Sequence, residues 1–191
     1  MRFCLLVVLS VFSALPPAHA EVYDIDPVHS SVEFKIRHIV VSKTSGKFND
    51  FSGTIRYDKN NPKSWAAEAV IQTASIDTSN VKRDEHLRGS DFFDVEKYPT
   101  IKFKSGKVGK IKDGKGKLYG ELTMLGVTKP VVLDLEIHGA MNGIAGFSAT
   151  TTVDRTDFGI SWNKVLDAGG LAIGKEVEIT LEIEAHEKKS K

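Results

Sequence analysis

Cysteine is nearly missing from this chain of 191 residues: the single one stands at position 4. Beyond that position there can be no disulfide framework, no thiolate metal site and no cysteine nucleophile. A charge excess is missing too, with 26 Lys and Arg against 25 Asp and Glu. Such a balance gives no global attraction to nucleic acid or to an anionic membrane. Long apolar runs are confined to residues 3–15, and thirteen residues are too few to span a bilayer as a helix. The chain also lacks a G-x-S-x-G elbow, an H-E-x-x-H pair and a glycine-rich phosphate loop opening a helix. These gaps weigh against an enzyme, and neither a cofactor nor a metal site is expected.

Arg2, the apolar run and Ala18-His19-Ala20 together make a secretory signal with a small-x-small cleavage pattern. Residues 1–20 are therefore expected to be cut away, leaving 21–191 as one domain. That loss removes Cys4 and Arg2, so the mature chain is thiol-free and balanced at 25 basic and 25 acidic residues. The product is expected beyond the inner membrane, with no membrane span of its own.

What remains is dominated by alternation of period two. Val177, Ile179, Leu181, Ile183 and Ala185 share one face, while Glu176, Glu178, Thr180, Glu182 and Glu184 share the other. This is a half-buried antiparallel strand. Residues 131–138, 118–124 and 32–38 repeat the pattern. Further strands are expected over 51–57, 66–76, 101–108 and 147–153, with a short one at 23–25. Turns are expected at Asn60-Asn61-Pro62, Asp113-Gly114, Thr128-Lys129-Pro130 and Asn142-Gly143. One short helix fits residues 80–89, capped by Asn80 and stopped by Gly89; a second turn fits 164–171 weakly. About eight antiparallel strands leave a sandwich or a closed barrel, and closure removes exposed edges.

Residues 84–103, DEHLRGSDFFDVEKYPTIKF, interrupt the strands with aromatics crowded among charges, as suits a lid over a cavity. Arg88 and Asp91 sit between Leu87 and Phe92, where they would either meet a ligand head group or pin the segment. His38 ends an inward face and could donate to a head group. His29 follows Asp26-Pro27, where a structural hydrogen bond is expected. His138 and His186 fall on polar faces and are expected to be solvated. Phe34, Ile36, Phe48, Phe51, Leu87, Phe92, Phe93, Phe103, Leu122, Phe147, Phe158 and Trp162 could line a tunnel or form a packed core. Small barrels are usually filled, so the pattern leaves both open.

Several stretches, in order, narrow the choice: YDIDPVHSSVEFKIRH from Tyr23, GKFNDFSGTI from Gly46, ASIDT from Ala74, the segment from Arg83 to Phe103, GELTMLGVTKPV from Gly120 and RTDFGI from Arg155. Together they resemble the YceI-like family of periplasmic lipid-binding proteins. The resemblance implies an all-β, extended, eight-stranded antiparallel, lipocalin-like barrel with one or two short helices. It implies a long-chain amphiphilic lipid inside: a polyisoprenoid, an isoprenoid quinone or a fatty amide. On that reading the apolar set named above contacts the tail, while His38, Arg88 and Asp91 face the head group. Nucleic acid is not an expected partner, and related proteins make a homodimer plausible.

Overall fold

The computed structural model describes residues 20–39, 41–165 and 172–188. Its strands are β1 (Glu21–Ile25), β2 (Ser31–His38), β3 (Ser42–Phe48), β4 (Phe51–Tyr57), β5 (Ala66–Gln72), β6 (Ile76–Asp77), β7 (Thr100–Val108), β8 (Lys115–Met124), β9 (Val127–Met141), β10 (Ile144–Asp154) and β11 (Ile173–Glu187). One α-helix, α1 (Val81–Arg88), lies between β6 and β7. Residues 1–19 of the expected signal segment 1–20 fall outside the described residues, as does most of the weak helical stretch at 164–171.

Eleven strands make eight staves, because three staves are broken. β1 and β2 both pair with β11, covering its two halves: Ile25 lies opposite Ala185 and Val32 opposite Leu181. β4 pairs with β1 while β3 pairs with β2. β5 then pairs with β4, and β6 with β3. From β7 to β11 every strand pairs antiparallel with the next, and β5 pairs with β7. The β11 contacts with β1 and β2 close the ring, so the protein is a closed eight-stranded antiparallel barrel. Closure leaves no long unpaired edge among the staves.

The alternation read from the sequence is the inside–outside alternation of this barrel. Val131, Leu133 and Leu135 are buried on β9, and their neighbours Val132 and Asp134 are exposed. The Asp113-Gly114 and Asn142-Gly143 turns form as expected, each with positive φ at both residues. The turn expected at Thr128-Lys129-Pro130 does not form. The chain reverses instead at Leu125-Gly126, with φ of 50° and 74°. Pro130 lies within β9 opposite Glu121. Counting from the Met124–Val127 pair beside the turn, Pro130 falls at a position whose N–H would point away from β8, so the ladder loses no bond.

The sequence reading missed β3, whose polar run SKTSGKF carries little apolar signal. Gly46 explains the gap. A Cβ there would lie 2.4 Å from the Phe34 ring, so the inward position is filled by an aromatic from the neighbouring strand. The strand expected over 66–76 is also interrupted, by a 3₁₀ turn at Thr73–Ser75. Thr73 is buried there, its N–H bonded to the Pro99 carbonyl and its hydroxyl to the Tyr98 carbonyl.

Candidate functional site

Inward side chains do not fill the barrel. They enclose a cavity of about 700 Å³, within the usual size range of small-molecule sites. Two apolar clusters form its walls. One gathers Phe48, Phe51, Phe92, Ile101, Met124 and Val131 beneath α1 and the segment after it. The other gathers Tyr57, Leu118, Leu133, Leu135, Phe147 and Ala149 toward the opposite end. Phe103 and Leu181 pack against both, so the cavity is continuous along the barrel.

The far end is stoppered by aromatics. Tyr57 lies 4.8 Å from Trp65 and 5.4 Å from Phe147, centroid to centroid, and Tyr23 meets Tyr57 edge-on at 6.4 Å. The Trp65 indole N–H donates to the Asp58 carbonyl, which gives the one polar atom of that ring a partner. Burial raises the pKa of Tyr57, with the Asp58 charge adding to it. It raises that of Tyr23 further, helped by the hydrogen bond its hydroxyl donates to Glu21.

The near end is roofed by α1 and residues 155–164. Asn80 caps the helix by accepting the Arg83 N–H at 3.0 Å. Asp84, 6 % exposed, accepts from the Thr78 N–H at 2.9 Å and from the Thr78 hydroxyl. Arg83 closes the same knot, donating to the Thr78 hydroxyl and carbonyl at 2.7 Å each. Next along the roof, the His86 ring stands edge-on to Phe92 at 5.0 Å and to Trp162 at 4.9 Å. This joins α1 to the second roof segment. Arg155 holds that segment down from inside: 3 % exposed, it donates to the carbonyls of Gly174, Ile160 and Trp162. Burial lowers its pKa, and the nearby Asp154 charge opposes that shift.

Most of the charged groups that line the cavity stand at this end, with Arg56 and Glu68 at the stoppered one. His38 closes β2 opposite Ile173, and Ile39 donates to the Ala172 carbonyl, which brings the rim beside Lys164. Lys82, Arg83 and His86 reach the cavity from α1. Among the described residues, the His38 imidazole has no hydrogen-bond partner.

The expected tail residues meet this geometry unevenly. Phe34, Ile36, Phe48, Phe51, Leu87, Phe92, Phe93, Phe103, Leu122, Phe147 and Trp162 all line the cavity. Phe158 does not; it is 2 % exposed and sits in the packed wall beside Arg155 and Ile160. Of the head-group set, only His38 lines the cavity. Arg88 donates from Nε to the Ala74 carbonyl and from Nη2 to the Ile76 carbonyl, each at 2.8 Å. It pins the helix to the broken stave rather than reaching inward. Asp91 is exposed and pairs with His86 Nε2 at 3.0 Å. Sequence reasoning missed Lys82 and Lys164 at the rim, and Tyr57 and Trp65 at the stopper. A strand parity count could have found Tyr57, since Phe51, Gly53, Ile55 and Tyr57 share one face of β4.

A closed β-barrel with an apolar cavity, stoppered at one end and roofed at the other, defines a class of small-molecule-binding folds. Within it, residues 23–185 match the YceI-like domain, and the chain belongs to that family. The UPF0312 protein SA2479 of Staphylococcus aureus is 35 % identical over 162 residues, covering 82 % of this chain and 92 % of that one. The crystal structure of BcnA from Burkholderia cenocepacia superposes with a TM-score of 0.77 at 22 % identity, covering 84 % of this chain and 99 % of BcnA. A polyisoprenoid binding domain from Saccharophagus degradans, implicated in plant cell wall breakdown, superposes with a TM-score of 0.69 at 15 % identity, over 87 % and 98 % of the two chains. At those identities the two structures speak to the fold alone. No helix among the described residues is long and apolar enough to cross a membrane.

Proposed function

We propose that this protein binds and shields a long-chain amphiphile beyond the inner membrane, storing or carrying it rather than transforming it. One observation carries the reading: a continuous cavity of about 700 Å³ with apolar walls, where His38, Lys82, Arg83, His86 and Lys164 gather at the roofed end and Arg56 is the cation at the stoppered end. That is the polarity profile of one amphiphile laid along the barrel axis. At about 30 Å³ for a water-sized unit, the space holds on the order of twenty methylene-sized groups. Each buried CH₂ is worth roughly 0.8 kcal/mol, so even ten contribute about 8 kcal/mol before association and ordering costs.

The head group rests at the roofed end. His38 takes the role assigned from the sequence, and Lys82 and Lys164 replace Arg88 and Asp91, whose side chains are committed to backbone carbonyls and to His86. An isoprenoid quinone or a fatty amide offers an acceptor oxygen for such donors, and a polyisoprenoid does so through an oxygen-bearing terminal group. The name of the Saccharophagus domain favours an isoprenoid tail. The signal-like residues 1–20 support export.

The test is native purification under mild conditions, followed by organic extraction and mass spectrometry. A reproducible long-tailed amphiphile, near one per protein, is the expected result. Lipid-free preparations that also refuse an isoprenoid probe would sink the carrier reading and leave a barrel with a structural role.

A further inference from the structure

The barrel seam carries a second constellation, on the outer wall and apart from the cavity. Where β1 gives way to β2, the chain leaves the sheet for Asp26–Ser30 and lies against β11. There Asp26 and His29 meet Glu184 and His186, which sit two apart on the outward face of β11. None of the four lines the cavity.

Their facing atoms form a closed ring. His29 Nδ1 lies 2.7 Å from Asp26 Oδ2 and 3.7 Å from Glu184 Oε1. His186 Nε2 lies 3.6 Å from the same Asp26 oxygen and 3.0 Å from the same Glu184 oxygen. A tetrahedron of ligands about 2.0 Å from a zinc ion has edges of about 3.3 Å. The four distances, which are four of the six edges, bracket that value; Asp26, His29 and Glu184 already have ligand atoms all within 4.8 Å of one another, and His186 completes the set by turning toward the ion. Two neutral imidazoles and two carboxylates carry a charge of minus two, which one divalent cation cancels.

The frame holding these atoms is firm. Asp26 Oδ1 accepts the Val28 N–H at 2.9 Å, which leaves Oδ2 toward the ring. The Asp26 N–H donates to the Glu184 carbonyl at 2.9 Å. Ser30 Oγ both donates to that carbonyl and accepts the Glu184 N–H, at 3.1 and 3.0 Å. Asp24 lies opposite His186 in the strand register. An oriented carboxylate and backbone-fixed partners are the supports that metal ligands use elsewhere. The side chains are 62 % (His29), 51 % (His186), 35 % (Glu184) and 18 % (Asp26) exposed, so an ion can enter from solvent without the barrel opening.

We propose that Asp26, His29, Glu184 and His186 bind a divalent transition-metal ion, zinc by preference, as an exchangeable clip across the barrel seam. The two nitrogen ligands select against calcium and magnesium, which take oxygen ligands. The clip ties the break in the first stave to the last strand, where the ring closes. Its role is separate from the cavity, so lipid occupancy and metal occupancy are independent.

The test uses the mature chain without a histidine tag, stripped with chelator and titrated with zinc chloride by calorimetry near neutral pH. One equivalent should bind in the micromolar range. His29→Ala and His186→Ala should each weaken it at least tenfold, while His138→Ala, an exposed histidine bonded to Ser148 away from the ring, should not. Zinc at a hundredfold excess over its dissociation constant should raise the thermal midpoint by about 5–10 °C. Absence of saturable binding refutes the clip. So does zinc binding indifferent to both ring histidines, or calcium binding of equal strength, either of which marks a generic acidic surface. Each variant should keep the far-ultraviolet spectrum of the parent, because both rings stand in solvent. Should one fail to fold, Asp26→Asn gives the same readout.

Discussion

Replacing Ala149 by phenylalanine places a ring inside the cavity. Ala149 lies in β10 beside Leu135 and Leu181 in register, and its methyl lines the cavity. Leu181 packs against both apolar clusters, so this is where the near half of the cavity passes into the far half. A phenyl ring occupies the room of about three or four methylene-sized units. A tail denied those positions loses about 0.8 kcal/mol for each, close to 3 kcal/mol in all and on the order of a hundredfold in affinity. The loss should depend on length. A decyl amphiphile held in the near half should bind Ala149→Phe as it binds the parent, and an eicosyl amphiphile with the same head group should lose the full factor. Competition against a fluorescent fatty probe reads both. Circular dichroism and urea unfolding confirm that the variant is folded, with about 1–3 kcal/mol of packing strain as the expected ceiling. If the eicosyl ligand binds the folded variant within twofold of the parent, the tail does not use the far half, and the axial placement is wrong.

Three further outcomes follow from the same geometry. Arg155→Ala strips the partner from the carbonyls of Gly174, Ile160 and Trp162; it should cost about 3–5 kcal/mol, seen as a lower urea midpoint. Arg88→Ala removes two charge-assisted bonds to Ala74 and Ile76; about 1.5–3 kcal/mol of protection should vanish from α1 amides in hydrogen exchange, and lost ligand affinity with unchanged exchange would restore a head-group role. Tyr23 and Tyr57 have phenols raised above the ordinary value, chiefly by burial. The folded state then keeps protons that the unfolded chain gives up, so stability is full below pH 10 and falls as pH climbs past it. Absorbance at alkaline pH should show these two phenols ionising together with unfolding; their titration near pH 10 in a folded protein would contradict their packing.

Much of the fold was legible in the sequence because a barrel wall repeats one simple rule. Val177 to Ala185 alternate in sequence for the same reason that they alternate in space: a pleated strand turns successive side chains to opposite sides. The Asp-Gly and Asn-Gly turns were legible because positive φ at consecutive residues restricts the residue types that fit. β3 escaped because its inward position at Gly46 is filled from another strand, by Phe34. The Leu125-Gly126 turn escaped because only half of it carries the usual signal, while Pro130 advertised a break that its place in the ladder does not require. Phe158 looks like the other aromatics in sequence, and only its place behind Arg155 sends it into the wall.

By itself, then, the sequence determined the class of structure, the positions of most strands and which faces turn inward, since these depend on local alternation and turn chemistry. The family could be read from it as well. It could not determine which charges are free. Arg88 and Asp91 stand where a head group would want them along the chain, yet one is spent on backbone carbonyls and the other on His86. Nor could it determine that the barrel is left hollow, because a void is a property of eight staves at once and not of any one of them. His29 and His186 lie 157 positions apart and look unrelated in the chain. Only closure of the ring brings them to the same two carboxylate oxygens. Hydrogen bonds, cavities and ligand sets are made between distant segments, and the tertiary structure alone decides them.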